Sequence, residues 1–191
     1  MSGRISLILT DLDGTLVDTR AANYHAYREV LADFGKSLTE EHYNSCFGLR
    51  LEEFLQTLDI TDKHITEKIR KQKALVYPIH FDKLVPNNPL LAFLKASRRM
   101  GIPLAVVSTA RRENILNVLK YIGAYDLFDL IVSGENVSKS KPDPECYIYA
   151  IRHFNIEPDK ILIFEDTPIG IRAAIETGAN CLVISDMFYG L

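Results

Sequence analysis

The chain of 191 residues predicts an α/β protein: a Rossmann-like parallel sheet flanked by helices, with a small α-helical cap domain inserted after the first strand. Three observations carry this. Short apolar runs alternate with helical patterns along residues 88–184, as they do where parallel strands are joined by crossover helices. Acidic, hydroxyl and basic residues stand where successive apolar runs stop. Finally, Ser108 lies 97 positions after Asp11, although a crossover between parallel strands needs only about a dozen residues plus loops. The excess reads as an inserted domain.

The elements follow in order. Ile5, Leu7, Ile8 and Leu9 form a nearly continuous apolar run, the pattern of a strand covered on both faces. From about Thr19 to Asp82 the chain reads helical. Tyr24, Tyr27, Leu31 and Phe34 recur at helical spacing and end at Gly35, a helix stop. Thr39, residues 51–58 and residues 61–76 supply further helix starts and patterns. Asn88-Pro89 open a helix that Gly101 closes. Strands are then expected at 103–108, 130–132, 160–164 and 181–184, and helices at 111–122, 144–154 and 168–177. This gives a core of residues 1–18 and 83–191 and a helical domain of residues 19–82. The chain stops soon after its fifth strand, and neither an internal repeat nor a low-complexity segment is present.

Composition bounds the function without choosing it. A net charge of -3 argues against general nucleic-acid binding, so any attraction for phosphate must be local, through Arg111, Arg112, Lys139 and Lys141. Cys46, Cys146 and Cys181 are widely spaced with no CxxC pair, which suits neither a disulfide framework nor a zinc site. Cys181 reads as core. Asp11 and Asp13 interrupt the N-terminal apolar run too early for a signal peptide, and no stretch is long enough to span a bilayer. No membrane partner and a cytoplasmic location are expected.

The chemistry is concentrated at strand ends. Asp11 and Asp13 stand at the carboxyl end of the first strand, where ligands of parallel sheets bind. Two carboxylates this close repel one another unless a cation, a shared proton or a hydrogen-bond network offsets the repulsion, and a hard divalent ion such as Mg2+ is the simplest remedy. Gly14 lets the chain turn sharply beside them. An Asp-Gly turn closing a strand is the plain alternative. An EF-hand loop fits poorly, because its glycine belongs at the sixth position and a helix should precede it. At the end of 103–108 the hydroxyls of Ser108 and Thr109 could bind a phosphoryl oxygen. Lys139 and Lys141 precede a helix with Asp143 as cap and Pro144 at its first position. Glu165-Asp166 supply a second acidic pair before the helix opened by Thr167-Pro168. Each piece alone reads as a cap or a solvated charge. Four strand ends so equipped on one sheet edge do not arise from capping preferences.

The segments DLDGTLVDT, VVST, SKPDPE and FEDTPIGIRAA resemble, in order and across the whole chain, the four motifs of the haloacid dehalogenase-like hydrolase superfamily. The resemblance is nearest to the subgroup of phosphoglycolate phosphatases and beta-phosphoglucomutases. It implies Asp11 as nucleophile, Asp13 as general acid and base, Ser108 as phosphate-binding hydroxyl and Lys141 as the motif lysine. It also implies Mg2+ held by Asp11, the backbone carbonyl of Asp13 and Asp166, with Glu165 in support. Thr109 and Arg111 are candidates for binding substrate. So is Arg50, in the stretch Phe47-Gly48-Leu49-Arg50 that resembles the subgroup's specificity loop, although it reads equally as a surface arginine opening a helix. The helical domain resembles the cap of that subgroup, whose closure would exclude water and select the substrate. The expected activity is Mg2+-dependent hydrolysis of a small phosphorylated metabolite. The alternatives are a sugar phosphomutase and a phosphate-binding module without turnover. Asn23 falls where the mutases carry a cap histidine, which weighs against the first of these. Neither substrate identity nor oligomeric state is legible.

Overall fold

Leu7–Thr10 (β1), with all of its residues buried, is the middle strand of a five-stranded sheet in the computed structural model, which describes residues 4–185. A two-residue strand Val17–Asp18 (β2) follows. Four helices come next: Arg20–Asp33 (α1), Glu40–Ser45 (α2), Leu51–Gln56 (α3) and Lys63–Val76 (α4). A 3-10 segment Tyr77–Lys83 then leads to a second two-residue strand, Val85–Pro86 (β3). The remainder alternates as Asn88–Arg99 (α5), Leu104–Val107 (β4), Arg112–Tyr121 (α6), Leu130–Val132 (β5), Glu145–Phe154 (α7), Ile161–Glu165 (β6), Pro168–Glu176 (α8) and Asn180–Val183 (β7). The strand order is β5-β4-β1-β6-β7, and every pairing in it is parallel.

Register decides what this sheet can present. Thr10 of β1 pairs with Val106 of β4 on one side and Phe164 of β6 on the other. The residues just beyond, Asp11, Ser108 and Glu165, therefore reach the same edge. One face of the sheet is sealed by Leu7, Leu9, Ala105, Val107, Ile161 and Ile163 packed with Tyr147 and Ala150 of α7 and Ala173 and Ala174 of α8. Small residues on α8 let its backbone approach the strands, and Cys181 is partly buried against the same cluster.

The chain divides into two compact units, one of residues up to Asp18 with those from Val85 onward, the other Thr19–Leu84. The second unit has its own core: Val30, Leu31, Tyr43, Phe54, Leu55 and Ile69 are buried together, with Tyr24, Tyr27 and Phe34 packed around them. The predicted boundary at residue 82 falls inside the 3-10 segment, where Tyr77 and Phe81 are buried. The unit therefore ends at Leu84.

Other differences from the sequence reading are local. The strands β2 and β3 pair antiparallel, Val17 with Pro86 and Asp18 with Val85, so a short ribbon brackets the inserted unit. Two residues carry no periodicity by which to foresee it. Helix α5 is capped by Asn87, whose side chain accepts from Leu90 N. Helix α7 starts at Glu145 instead of Pro144, and Asp143 accepts from Glu145 N at 3.0 Å from one position outside the cap. Among the described residues the three cysteines are free thiols and no helix is long and apolar enough to cross a membrane.

Candidate active site

Lys141 is the organising group of the site. It is buried, and its Nζ donates to Asp11 Oδ1 at 2.6 Å, Glu165 Oε1 at 2.6 Å and Val107 O at 3.3 Å. These partners stand at the ends of β1, β6 and β4, so the lysine bridges the three central strands. Burial works against its charge, but Asp11, Tyr147 and Glu165 around it hold its pKa well above the ordinary lysine value. The loop that delivers it is tied down at both ends. Ser133 donates its N–H and its hydroxyl to Asn136 Oδ1 at 2.8 and 2.9 Å. The Glu145 carboxylate takes Ser138 N and Lys139 N at 3.0 and 2.7 Å, and these bonds hold its pKa below the usual carboxylate range.

Asp11 is fastened by its own N–H to Phe164 O at 3.0 Å. Burial first, then the nearby charges of Glu165, Asp166 and Asp13, push its pKa well up against the opposing pull of Lys141. Asp13 lies past the strand end, where Gly14 N donates to Val17 O at 2.8 Å and closes a turn. Ser108 joins the second strand end to the first: its Oγ donates to Asp13 Oδ2 at 3.1 Å and accepts from Ala110 N at 3.0 Å. Asp166 takes the hydroxyl of Thr15 on Oδ1 at 2.8 Å. Burial, with the charges of Glu165 and Asp13, raises its pKa from 3.8 to about 6 in spite of that bond. Gly14 has φ +93°, and a Cβ there would stand 2.1 Å from Asp166 Oδ2. Only glycine permits this approach.

Glu165, expected to support a metal, has a different place. Its Oε1 is shared by Lys141 and by Tyr147 Oη at 2.8 Å, and its Oε2 accepts from Asp166 N and Thr167 N at 3.0 and 3.2 Å. Burial opposes its charge, but Lys141 and these donors keep its pKa below the usual carboxylate range. It anchors the lysine with both oxygens engaged. Arg111, expected at the substrate, lies exposed with its Nε on Glu135 Oε1 at 3.2 Å, and Lys139 pairs with Asp143. Thr109 comes next in the chain, and its backbone packs against the loop after β5: a Cβ on Gly134 would fall 2.4 Å from the Thr109 carbonyl oxygen. Arg50 belongs to the helical unit, where it precedes α3 and its N–H donates to Glu53 Oε2 at 3.2 Å.

Asp11, Asp13, Ser108, Lys141, Glu165 and Asp166 are thus brought together, while Arg111 and Lys139 are engaged elsewhere. Sequence reasoning missed Thr15 and Tyr147. Thr15 stood inside the quoted motif. Tyr147 shares the inner face of α7 with Cys146 and Ala150, and that amphipathic spacing was the available signal. Whether the site suits a cation can be judged from its charge. Four carboxylates are gathered around one ammonium, and the pKa values of Asp11 and Asp166 are raised by burial first and then by the neighbouring carboxylates. All the donors are hard oxygens, the set that Mg2+ selects. Among the described residues no three acidic, histidine or cysteine side chains are already drawn together as a metal site.

The site gathers aspartates, a serine hydroxyl and a buried lysine at the ends of the central strands, and comparison with known proteins shows the family. A sequence profile of the haloacid dehalogenase-like hydrolase family matches residues 8–184, and the chain belongs to that family. It is 30% identical to a phosphorylated carbohydrates phosphatase of Thermotoga maritima, over 90% of this chain and 81% of that protein. It is 28% identical to a phosphoglycolate phosphatase of Thiobacillus denitrificans, over 91% and 80% respectively. Among solved structures, CbbY from Rhodobacter sphaeroides in complex with phosphate superposes with a TM-score of 0.85 at 25% identity, covering 96% of this chain and 88% of that one.

Proposed function

We propose that this protein is a Mg2+-dependent phosphatase that hydrolyses a small phosphorylated metabolite through an aspartyl-phosphate. One observation carries the reading: Asp11, a buried carboxylate at the end of the central strand, is held on one oxygen by a buried lysine while a second aspartate and a serine hydroxyl stand beside it. The phosphatase names of its relatives point the same way.

In the first half-reaction a carboxylate oxygen of Asp11 attacks phosphorus in line, forming the acyl phosphate as the bond to the leaving oxygen breaks. Asp13, in its protonated form, gives its proton to the departing alkoxide. In the second, Asp13 takes a proton from water, whose oxygen bonds to phosphorus and releases Asp11 and inorganic phosphate. Ser108 orients the Asp13 carboxylate through its 3.1 Å bond. Lys141 neutralises Asp11 and the phosphoryl oxygens, without which two anions would repel one another. Asp11 and Asp166 with the backbone carbonyl of Asp13 are the residues that would hold Mg2+, which supplies positive charge to the transferring group.

A mutase needs an acid and base that serves the sugar hydroxyl. At the position where the sugar phosphomutases carry a cap histidine stands Asn23, buried, with its Nδ2 donating to Tyr77 Oη at 3.4 Å. A carboxamide is neither a general acid nor a general base near neutral pH, which favours water as acceptor. The three free thiols suit the reducing cytoplasm. The test is phosphate release from a panel of phosphorylated sugars, phosphoglycolate and nucleoside monophosphates, with and without Mg2+. Release that requires Mg2+ and disappears in Asp11→Asn is the expected result. Isomerised sugar phosphate in place of free phosphate would overturn the hydrolytic reading.

A further inference from the structure

The mechanism just proposed makes no use of the phenol buried beside its lysine. Tyr147, in the first turn of α7, is fully buried, and its Oη donates to Glu165 Oε1 at 2.8 Å. That same oxygen receives Lys141 Nζ at 2.6 Å, and the ammonium lies 4.9 Å from the centroid of the Tyr147 ring. The other Glu165 oxygen is taken by the backbone N–H groups of Asp166 and Thr167. A Cβ on Gly170 would fall 2.0 Å from Oε1, so the backbone of α8 closes the carboxylate from another side.

We infer that Tyr147 is a positioning residue for phosphoryl transfer: by donating to Glu165 Oε1 while its ring lies against the ammonium, it sets where Lys141 meets Asp11. The inference rests on the phosphatase reading above. The physical argument is one of shared acceptors. While Tyr147 occupies one lone pair of Oε1, Lys141 meets that oxygen along the remaining direction and keeps its second proton on Asp11. With the hydroxyl gone, Oε1 has Lys141 as its remaining side-chain donor, and the ammonium is drawn toward Glu165 and away from Asp11. The cost falls on the step in which Asp11 and the phosphoryl group must both feel the lysine, so it appears in kcat. The packing of α7 on the sheet depends on the ring, not on its oxygen.

Tyr147→Phe keeps the ring and removes only the bond. The expected result is a kcat lowered about tenfold, the scale of one hydrogen bond to a charged group, with KM nearly unchanged. In a Glu165→Gln background the same substitution should have no further effect on kcat, because its route of action has been removed. Melting temperatures of the same four proteins are the control for folding. A wild-type kcat in Tyr147→Phe accompanied by a lowered melting temperature would overturn the inference and leave Tyr147 as packing alone. So would an equal loss of kcat when Tyr147→Phe is added to Glu165→Gln. If the unmodified chain with Mg2+ hydrolyses nothing on the panel, the phosphatase reading has failed first and takes this inference with it, an outcome visible before any Tyr147 variant is assayed.

Discussion

Lys141 touches two carboxylates that burial has stripped of water, and the energetics of the site turn on that arrangement. A buried ion pair contributes modestly as a whole, but removing one member leaves an uncompensated charge. Lys141→Met should therefore cost about 3–5 kcal/mol in urea unfolding as well as abolishing turnover. A loss near zero would mean that Asp11 and Glu165 are solvated in a way their burial contradicts. Gly14 makes an independent test. Gly14→Ala adds a methyl that has nowhere to go beside Asp166 Oδ2 and strains a φ of +93°, so it should cut activity more sharply than its size suggests. Unaltered Mg2+-dependent turnover in that variant would show the approach to be dispensable. At this scale Asp11, Asp13, Ser108 and Asp166 were legible because each interrupts or follows an apolar run at a strand end, whereas Lys141, in the loop between β5 and α7, was marked by the segment SKPDPE. Tyr147 and the true partner of Glu165 were not. The contact joins positions 18 apart on different elements, and nothing local in either segment requires it.

Elements were readable where a period or a breaker marked them. The helix stops at Gly35 and Gly101 adopt φ of +68° and +81°, and the five sheet strands coincide with apolar runs. Where a backbone atom from elsewhere does the work, the sequence was silent. Asn87 is the instructive case: the helix opens at Asn88-Pro89 as expected, but the residue that caps it, Asn87, was not singled out. Its Oδ1 accepts from Leu90 N at 3.1 Å, its Nδ2 donates to Thr15 O at 3.1 Å, and its N–H donates to Leu16 O at 2.9 Å. One side chain thus starts α5 and also supports the turn that carries Thr15 to Asp166. Asn87→Ala should lose about 1–3 kcal/mol, a cap plus an unsatisfied buried carbonyl. Asn87→Asp keeps the cap acceptor but loses the donor to Thr15 O. Chemical denaturation should rank it between wild type and Ala, and equal values for the two variants would mean that the cap carries nothing.

On the scale of the whole molecule, a net charge of -3 says little about a site whose local surplus of negative charge is far denser. That surplus predicts how stability responds to pH and metal. An acid whose pKa is raised by folding contributes stability that is fully present below its unfolded pKa and lost as pH rises through the folded one. For Asp166 the window runs from 3.8 to about 6, and Asp11 shifts in the same direction. Without metal, the melting temperature should therefore rise as pH falls from 7 to about 5.5. Glu165, Asp129 and Glu145, with lowered pKa values, lose their contributions only in more acid solution. His25, half-buried and with its pKa lowered by burial and by Arg28, pulls the other way in the same window. Mg2+ at neutral pH should raise the melting temperature, since a ligand bound by the folded state alone stabilises it by mass action. That gain should shrink toward pH 5.5 as protons compete for the same oxygens. Asp166→Asn supplies the control, because it should raise the metal-free melting temperature at pH 7 and weaken both the acid response and the Mg2+ response. A Mg2+ increment that survives this substitution and ignores pH would place the cation elsewhere on the molecule and detach it from the chemistry of Asp11.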